Sequence, residues 1–187
     1  MKVLARIFFT IGVVMLFGNA RSAETKVFSD QYKEFTVSLP ANWFIKTEGD
    51  TDKTFQVFVS REKIEKPTDF FQVGMTAMKV RRMSKSFEKI KADSQIAILW
   101  VNASRDAEKA MTKAEEKQIV GFRNGIYGGY LREVIFQPKP EVAAIHKLEV
   151  ILSANDNLVD IVFEAPDTEW AKYEDVYKEA IKSLHVQ

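Results

Sequence analysis

Few residues in this sequence have the side-chain types that metal binding or nucleophilic catalysis would need. It contains two histidines, His146 and His185, and no cysteine among its 187 residues. A zinc site needs at least three nitrogen, sulfur or carboxylate ligands. His146 lies on a predicted strand beside Val134, whereas His185 follows the last predicted helix. We therefore predict that His146 is a hydrogen-bonded core residue, and that the chain holds no metal ion or other cofactor.

Common catalytic motifs are also missing from the sequence. It has no P-loop, no Gly-x-Ser-x-Gly nucleophile motif and no Gly-x-Gly-x-x-Gly dinucleotide fingerprint. The carboxylates Glu149, Asp160 and Glu164 fall on predicted strands and leave a hydrolase as one alternative. We expect these three residues to be charges at the solvent edge of a sheet, and we predict that the chain is not an enzyme.

Three glycines in two neighbouring predicted strands, Gly121, Gly128 and Gly129, form a second pattern. Glycine weakens a strand, but it lets another group approach the backbone closely. One interpretation is a tightly packed helix or a local bulge. The other is a binding shelf bordered by residue types that are common at binding hot spots; its candidate residues are Arg123, Tyr127, Tyr130 and Arg132.

Hydrophobic periodicity predicts mostly strands, with helices between and after them. The predicted strands cover residues 35–39, 54–60, 72–80, 118–123, 126–137, 142–153 and 158–164. Ser86 is a candidate cap for a helix that begins at Phe87. A weaker helical stripe covers residues 103–114, with Glu108 on its exposed polar face. A last helix is expected from Asp167 to about Leu184, with Trp170 and Tyr177 in its buried stripe.

Two turns set the predicted register. Asn124-Gly125 is a strong hairpin signal and would pair Gly121 with Gly128. A turn near Pro140 would pair Val134 with His146. Both faces of the resulting sheet are largely apolar, so helices are expected to cover both of them.

The N-terminus has the features of a secretory signal peptide. Lys2 and Arg6 precede an apolar stretch at residues 7–17, which is followed by small residues. Cleavage after Ala20 and cleavage after Ser22 both remain open; we take residues 1–22 as the signal and 23–187 as one domain. Loss of three basic residues changes the formal charge from +1 to −2. This near balance argues against nucleic acid as a partner and against strong adhesion to an anionic membrane.

Two stretches indicate a family. Residues 35–43 form a strand that ends in Pro-x-x-Trp, and residues 160–173 join a strand to a helix through Pro166 and Trp170. Together they resemble the PsbP/Mog1-like family, including its bacterial envelope members. The resemblance implies an α+β fold, an α/β/α sandwich with a central antiparallel sheet of about six strands. It also implies a non-enzymatic accessory role, and no functional residue of the family is carried over.

These observations give one expected function and one alternative. We expect an exported, non-enzymatic accessory protein of the bacterial envelope, located in the periplasm, which binds another envelope protein. No stable membrane anchor is expected after signal cleavage. The alternative is a periplasmic module that binds a small ligand or a metal ion beside the glycines.

Overall fold

The computed structural model describes residues 24–30, 33–48, 54–66, 71–81, 83 and 93–187. The predicted signal peptide and the predicted helix start at Ser86 and Phe87 lie outside these residues. The described chain forms ten strands and two α-helices. Its strands are β1 (Thr25–Ser29), β2 (Phe35–Pro40), β3 (Phe44–Glu48), β4 (Thr54–Ser60), β5 (Gly74–Val80), β6 (Lys113–Asn124), β7 (Tyr127–Gln137), β8 (Ile145–Ala154), β9 (Asn157–Pro166) and β10 (His185–Val186). The helices are α1 (Asp93–Glu108) and α2 (Trp170–Ser183), and a short 3-10 turn, Asp167–Glu169, precedes α2.

Two sheets organise these elements. Seven strands form a wholly antiparallel sheet in the order β3-β4-β5-β9-β8-β7-β6. The strands β1, β2 and β10 form a small second sheet. The α/β/α sandwich with a central antiparallel sheet is confirmed, with seven strands in that sheet. The small second sheet was not predicted, and neither were the strands β1, β3 and β10.

The core has two parts, one on each face of the large sheet. The larger part joins the sheet to α2 and the small sheet, and it buries Trp43, Trp170 and Tyr177. The smaller part lies under α1 and contains Ile96, Val101, Ile151 and Leu158. The helices therefore cover opposite faces, as the apolar character of both faces required. The buried stripe of α2 is confirmed at Trp170, Tyr177, Ala180 and Ile181.

The predicted helical stripe at residues 103–114 is wrong in its second half. The helix α1 ends at Glu108, and β6 begins at Lys113. Glu108 was placed on an exposed face, but only 9% of it is accessible. Its carboxylate turns inward because two cations of the sheet, Arg132 and Lys147, contact it.

The first hairpin turns one residue later than predicted. Gly125 and Ile126 form the turn, and Gly125 has φ +59°, so Asn124 pairs with Tyr127 instead of entering the turn. Positive φ at the first turn position only is typical of a type II′ turn. Asn124 stays in the strand because its side chain bonds the C-terminal segment twice. Its Nδ2 donates to the Leu184 carbonyl at 2.7 Å, and its Oδ1 accepts from the Val186 N–H at 2.9 Å.

The second hairpin is shifted by one residue relative to its prediction. Val134 pairs with Lys147, and Ile135 pairs with His146. The loop is longer than expected because Gln137 Nε2 donates to the Pro140 and Val142 carbonyls, which keeps Val142 out of β8. A shift of one residue moves every side chain to the other face of a sheet. Arg132 therefore lies opposite Glu149.

Gly129 and Gly121 provide a matched test of this packing. A Cβ on Gly129 would lie 1.9 Å from the Ile151 carbonyl oxygen, whereas a Cβ on Gly121 would meet no atom within 4 Å. We expect Gly129→Ala to lower the free energy of unfolding by about 2 kcal/mol or more. Gly121→Ala should change it by less than about 0.5 kcal/mol. Urea denaturation of both variants checks this, and equal stabilities would contradict the register.

Candidate functional site

An open groove lies at the end of the sheet where β6, β7 and β8 meet. The register places Arg123 opposite Gly128, Gly121 opposite Tyr130, and Gly128 opposite Ser153. The two large side chains, Arg123 and Tyr130, therefore each lie opposite a glycine of the neighbouring strand. The groove has a volume of about 590 Å³. We name it the hairpin-end groove and define it by Gly121, Arg123, Ile126, Gly128, Tyr130 and Ser153.

The floor of the hairpin-end groove is bare. A Cβ at Gly121 or at Gly128 would meet no heavy atom within 4 Å among the described residues. The interpretation of a helix packed tightly on these two glycines therefore does not hold for the described part of the chain. It is Gly129 that permits a close backbone approach, and its missing Cβ would point towards Ile151. The two glycines of the floor leave space above the sheet that the described residues do not fill.

The rim of the groove combines one cation with apolar surface. Ile126 is 67% exposed at the tip of the turn. Tyr130 is half-buried and packs against the core under α1, which fixes its position. Arg123 is exposed and makes no ion pair with any described residue. A rigid aromatic ring, an exposed aliphatic group and an available guanidinium suit a ligand that has both apolar and acidic groups.

The structure brings two of the four predicted site residues to the groove and places the other two elsewhere. Arg123 and Tyr130 line the hairpin-end groove, as the glycine pattern indicated. Tyr127 and Arg132 do not line it, because both are buried in the core. Tyr127 is 2% exposed in the larger core, and its hydroxyl donates to the Gln187 carbonyl at 3.1 Å. Side chains alternate along β7, so Tyr127 and Tyr130 point to opposite faces.

Arg132 shares a face with Tyr130 but lies under α1, where it is fully buried. Three carboxylates surround its guanidinium. Nη1 donates to Glu149 Oε2 at 2.6 Å, Nη2 to Glu108 Oε2 at 2.9 Å, and Nε to Glu116 Oε2 at 2.9 Å. Burial acts to lower the pKa of Arg132, but Glu149 and Glu108 outweigh it and raise the pKa. Arg132 therefore remains charged in the interior.

Two further cations complete this group. Lys147 Nζ lies 3.1 Å from Glu108 Oε1 and 3.5 Å from Glu149 Oε2. Arg105 of α1 binds Glu116 through two bonds of 2.6 and 3.0 Å. We call these six residues the charge cluster: Arg105, Glu108, Glu116, Arg132, Lys147 and Glu149. Its three positive and three negative groups balance, and they connect α1 to β6, β7 and β8.

Asp160 lies beside the charge cluster as an additional acid. The Trp100 indole N–H donates to its Oδ2 at 2.9 Å, while its Oδ1 is buried and has no hydrogen-bond partner among the described residues. Burial raises the pKa of Asp160 to about 7, and the charge of Glu149 contributes to the increase. The Trp100 hydrogen bond opposes the increase, as do the charges of Lys147 and Arg132. A protonated Asp160 is therefore favoured below neutral pH.

The strand carboxylates are thus not solvent-edge charges, and that expectation was wrong for Glu149 and Asp160. Glu149 is 2% exposed and faces Arg132. Glu164 is half-buried, and burial raises its pKa. The centre of the charge cluster, Arg132 with Glu149, is buried between α1 and the sheet, whereas Arg105 and Glu116 reach the surface and line an open pocket of about 380 Å³. Within the described residues, no three potential metal ligands are grouped closely enough to hold an ion.

His146 is a buried, fully bonded histidine, as predicted. Its ring stacks on Trp170 with 3.8 Å between centroids and 9° between planes. Nδ1 lies 3.1 Å from Asp167 Oδ1, and Nε2 lies 2.9 Å from Glu133 Oε1. These contacts join β7 and β8 to the turn before α2. The histidine is part of the packing of α2 on the sheet.

Two members of the groove were missed by sequence reasoning. Ile126 was assigned to a strand, although an apolar residue next to Gly125 could have indicated an exposed turn tip. Ser153 reaches the groove through the β7–β8 register, which the sequence did not give correctly. Charged residues at 132, 147 and 149 within otherwise apolar strands were the available signal for the charge cluster.

The charge cluster predicts unequal costs for losing two of its arginines. Arg132→Met leaves three carboxylates without their buried partner, and breaking a buried pair costs about 3–5 kcal/mol. Arg105 has a side chain that is 38% exposed and pairs with Glu116 alone. Arg105→Met should therefore cost no more than about 1 kcal/mol. Urea denaturation at pH 7 gives both values, and similar losses for the two variants would contradict a buried, shared Arg132.

Asp160 predicts a pH-dependent stability. Its pKa in the folded chain, about 7, lies above the ordinary value of 3.8, so the folded state holds the proton more tightly. Its contribution is fully present below about pH 4 and is lost as the pH rises to 7. The stability of Asp160→Asn relative to the wild type should increase with pH in this window, by up to about 1.4 kcal/mol per pH unit.

Urea denaturation between pH 4 and pH 8 tests this slope. Asp106→Asn is a suitable control, because the Asp106 side chain is 71% exposed. The control should show a nearly constant difference from the wild type. A constant difference for Asp160→Asn as well would show that the buried carboxyl titrates normally.

Comparison with known proteins supports the fold. No protein-family model matches the sequence, and no curated protein matches it significantly. Among solved structures, cyanobacterial PsbP (CyanoP) from Synechocystis sp. PCC 6803 is similar with a TM-score of 0.58 and 13% identity. The alignment covers 94% of this chain and 100% of that one. The Ran-binding protein Mog1p of Saccharomyces cerevisiae is similar with a TM-score of 0.53 and 12% identity, over 88% of this chain and 96% of that one. The resemblance found in the sequence is confirmed at the level of the fold: this chain has the PsbP/Mog1-like fold.

Proposed function

We propose that this chain is an exported, non-enzymatic accessory protein of the bacterial envelope that binds another protein through the hairpin-end groove. The observation that carries the proposal is the bare floor at Gly121 and Gly128 between Arg123 and Tyr130. Glycine in a strand costs stability, and no described group makes use of the space above these two. A site maintained at that cost is best explained by a ligand that fills it.

The open shape and the chemistry of the groove favour a protein segment. It is open, and it joins exposed apolar surface at Ile126 to the available charge of Arg123. Aromatic and arginine side chains of this kind carry much of the energy of protein interfaces. A neighbour with the same fold, yeast Mog1p, is a Ran-binding protein. A shared fold supports a binding role by analogy only, so the groove residues carry the argument.

Two observations support a role without catalysis. The acids of the charge cluster are all ion-paired, and the central pair, Arg132 with Glu149, is at most 2% exposed. His146 is enclosed between Trp170 and two carboxylates. The export part of the proposal rests on the N-terminal sequence. No helix among the described residues is long and apolar enough to cross a membrane.

A groove-filling variant tests the binding role. Gly128→Val places a side chain in the open floor, so we expect the variant to fold with near wild-type stability but to lose its partner. Arg123→Glu should reduce capture at least tenfold, because it reverses the charge at the rim. Lys139→Glu is the matched control, since Lys139 is exposed on the loop between β7 and β8. The measurement is quantitative mass spectrometry of proteins captured from a periplasmic extract.

The expected result is one dominant protein that is captured by the wild type and by Lys139→Glu but lost with both groove variants. Equal capture by all four proteins would place the interface elsewhere and contradict the proposal. Recovery of the chain from the cytoplasm with residues 1–22 retained would contradict export. Loss of a bound small molecule from Gly128→Val, with no captured protein, would favour the alternative of a ligand-binding module.

A further inference from the structure

The strand β6 forms one edge of the large sheet, and its charge and regularity change along its length. Within the described chain, β7 is its only neighbour in the sheet, so its other side is free of strand pairing. Its first half carries exposed charges at Lys113, Glu115 and Lys117, and it has a bulge between Glu116 and Gln118. Charges and bulges are the devices that protect a sheet edge from pairing with another chain.

Between this first half and Arg123, β6 lacks these devices. Residues 119–122 carry no charge and no proline, and Val120 is 40% exposed. The backbone N–H and C=O groups on the outer side of such an edge are available to an added strand. The segment 118–123 measures about 20 Å at roughly 3.3 Å per residue. It also carries Gly121 and Arg123, two residues of the hairpin-end groove.

We propose that the partner binds as an extended strand that pairs with residues 118–123 of β6. This inference rests on the proposed protein-binding role and specifies how the partner is recognised. The main chain of the partner supplies hydrogen bonds to the edge, and its side chains alternate between the two faces of the extended sheet. The partner strand continues the sheet beyond β6 and covers Val120.

The register of such a strand fixes the side chains that fit. Directly opposite residues on neighbouring strands have Cβ atoms about 5 Å apart. A bulky side chain opposite Gly121 fills the bare floor beside Tyr130. Two residues away on the same face, an acidic side chain opposite Arg123 pairs with its guanidinium, which has no ion-pair partner among the described residues. The residue between them, opposite Phe122, lies on the other face and is apolar.

The recognised segment is therefore a bulky, an apolar and an acidic residue in succession, read in either chain direction. Residues 118–123 contain no acidic residue, so two copies that paired through this segment would offer Arg123 no carboxylate. A charge-matched extended segment of another protein is therefore preferred over a second copy of this chain. The carboxylate of Glu116, in the same strand, is already shared between Arg105 and Arg132.

A random dodecapeptide library displayed on phage provides the probe. Selection on the full-length protein should enrich peptides that contain the bulky, apolar and acidic succession. Hydrogen–deuterium exchange of the protein with an enriched peptide should show slower exchange at the outward amides of residues 118–123. Val120→Lys adds the missing edge charge and should weaken peptide binding at least tenfold. Leu99→Lys is the matched control, because Leu99 is 44% exposed on α1, and it should leave binding unchanged.

A charge swap tests the pairing with Arg123. Arg123→Glu should weaken binding at least tenfold, and replacement of the acidic residue of the peptide by lysine should restore binding to that variant. Slower exchange confined to residues 126–130 and 153, with no effect of Val120→Lys, would overturn strand addition and leave the groove itself as the binding site. Absence of any enriched peptide would also overturn it, whether or not a periplasmic protein is captured.

Self-association is measured separately by sedimentation velocity. A wild-type dimer that Val120→Lys converts to monomer would assign the edge to a second copy and overturn the proposal. Protection of residues 118–123 by the peptide supports strand addition even if no periplasmic partner is captured. In that case only the accessory role would fail.

Discussion

The position of α1 on the sheet depends on one buried guanidinium. Arg132 binds acids from α1, β6 and β8 at once, so it fixes the helix relative to three elements. A buried charge is tolerated only when it is paired and hydrogen-bonded, and three carboxylates bind this guanidinium. Apolar packing also holds α1 on the sheet, but the buried residues there are few. The charge cluster fixes the orientation of α1 on the sheet, because its hydrogen bonds form in one alignment only.

The same guanidinium affects the groove through Tyr130, its neighbour two residues away on the same face of β7. Tyr130 packs against the core under α1 while one side of it faces the hairpin-end groove. A shift of α1 would therefore move the ring that borders the binding site. Asp160 adds a dependence on pH, since its bond from Trp100 is a second polar link between α1 and the sheet. Through its packing against Tyr130, α1 keeps the rim of the groove rigid.

The sequence predicted the elements of this fold better than it predicted their alignment. Local periodicity was sufficient for β4 and for the buried stripe of α2, because each is set by its own residues. The register of β7 on β8 depends on Gln137, whose bonds to two loop carbonyls no periodicity reveals. That error of one residue placed Arg132 opposite Leu148 and hid the charge cluster. Arg123 and Tyr130 were found because glycines beside them mark the site locally, whereas the burial of Tyr127 depends on long-range packing.

The two bonds of Asn124 have a consequence for the order of folding. Asn124-Gly125 alone favours a turn one residue earlier, with positive φ at both positions. The native turn needs the Leu184 carbonyl and the Val186 amide, which lie about sixty residues further along the chain. A nascent β6–β7 hairpin has neither group available, so it can populate the earlier turn. The native pairing is then selected only when the segment after α2 arrives, which makes this local hairpin depend kinetically on a distant part of the chain.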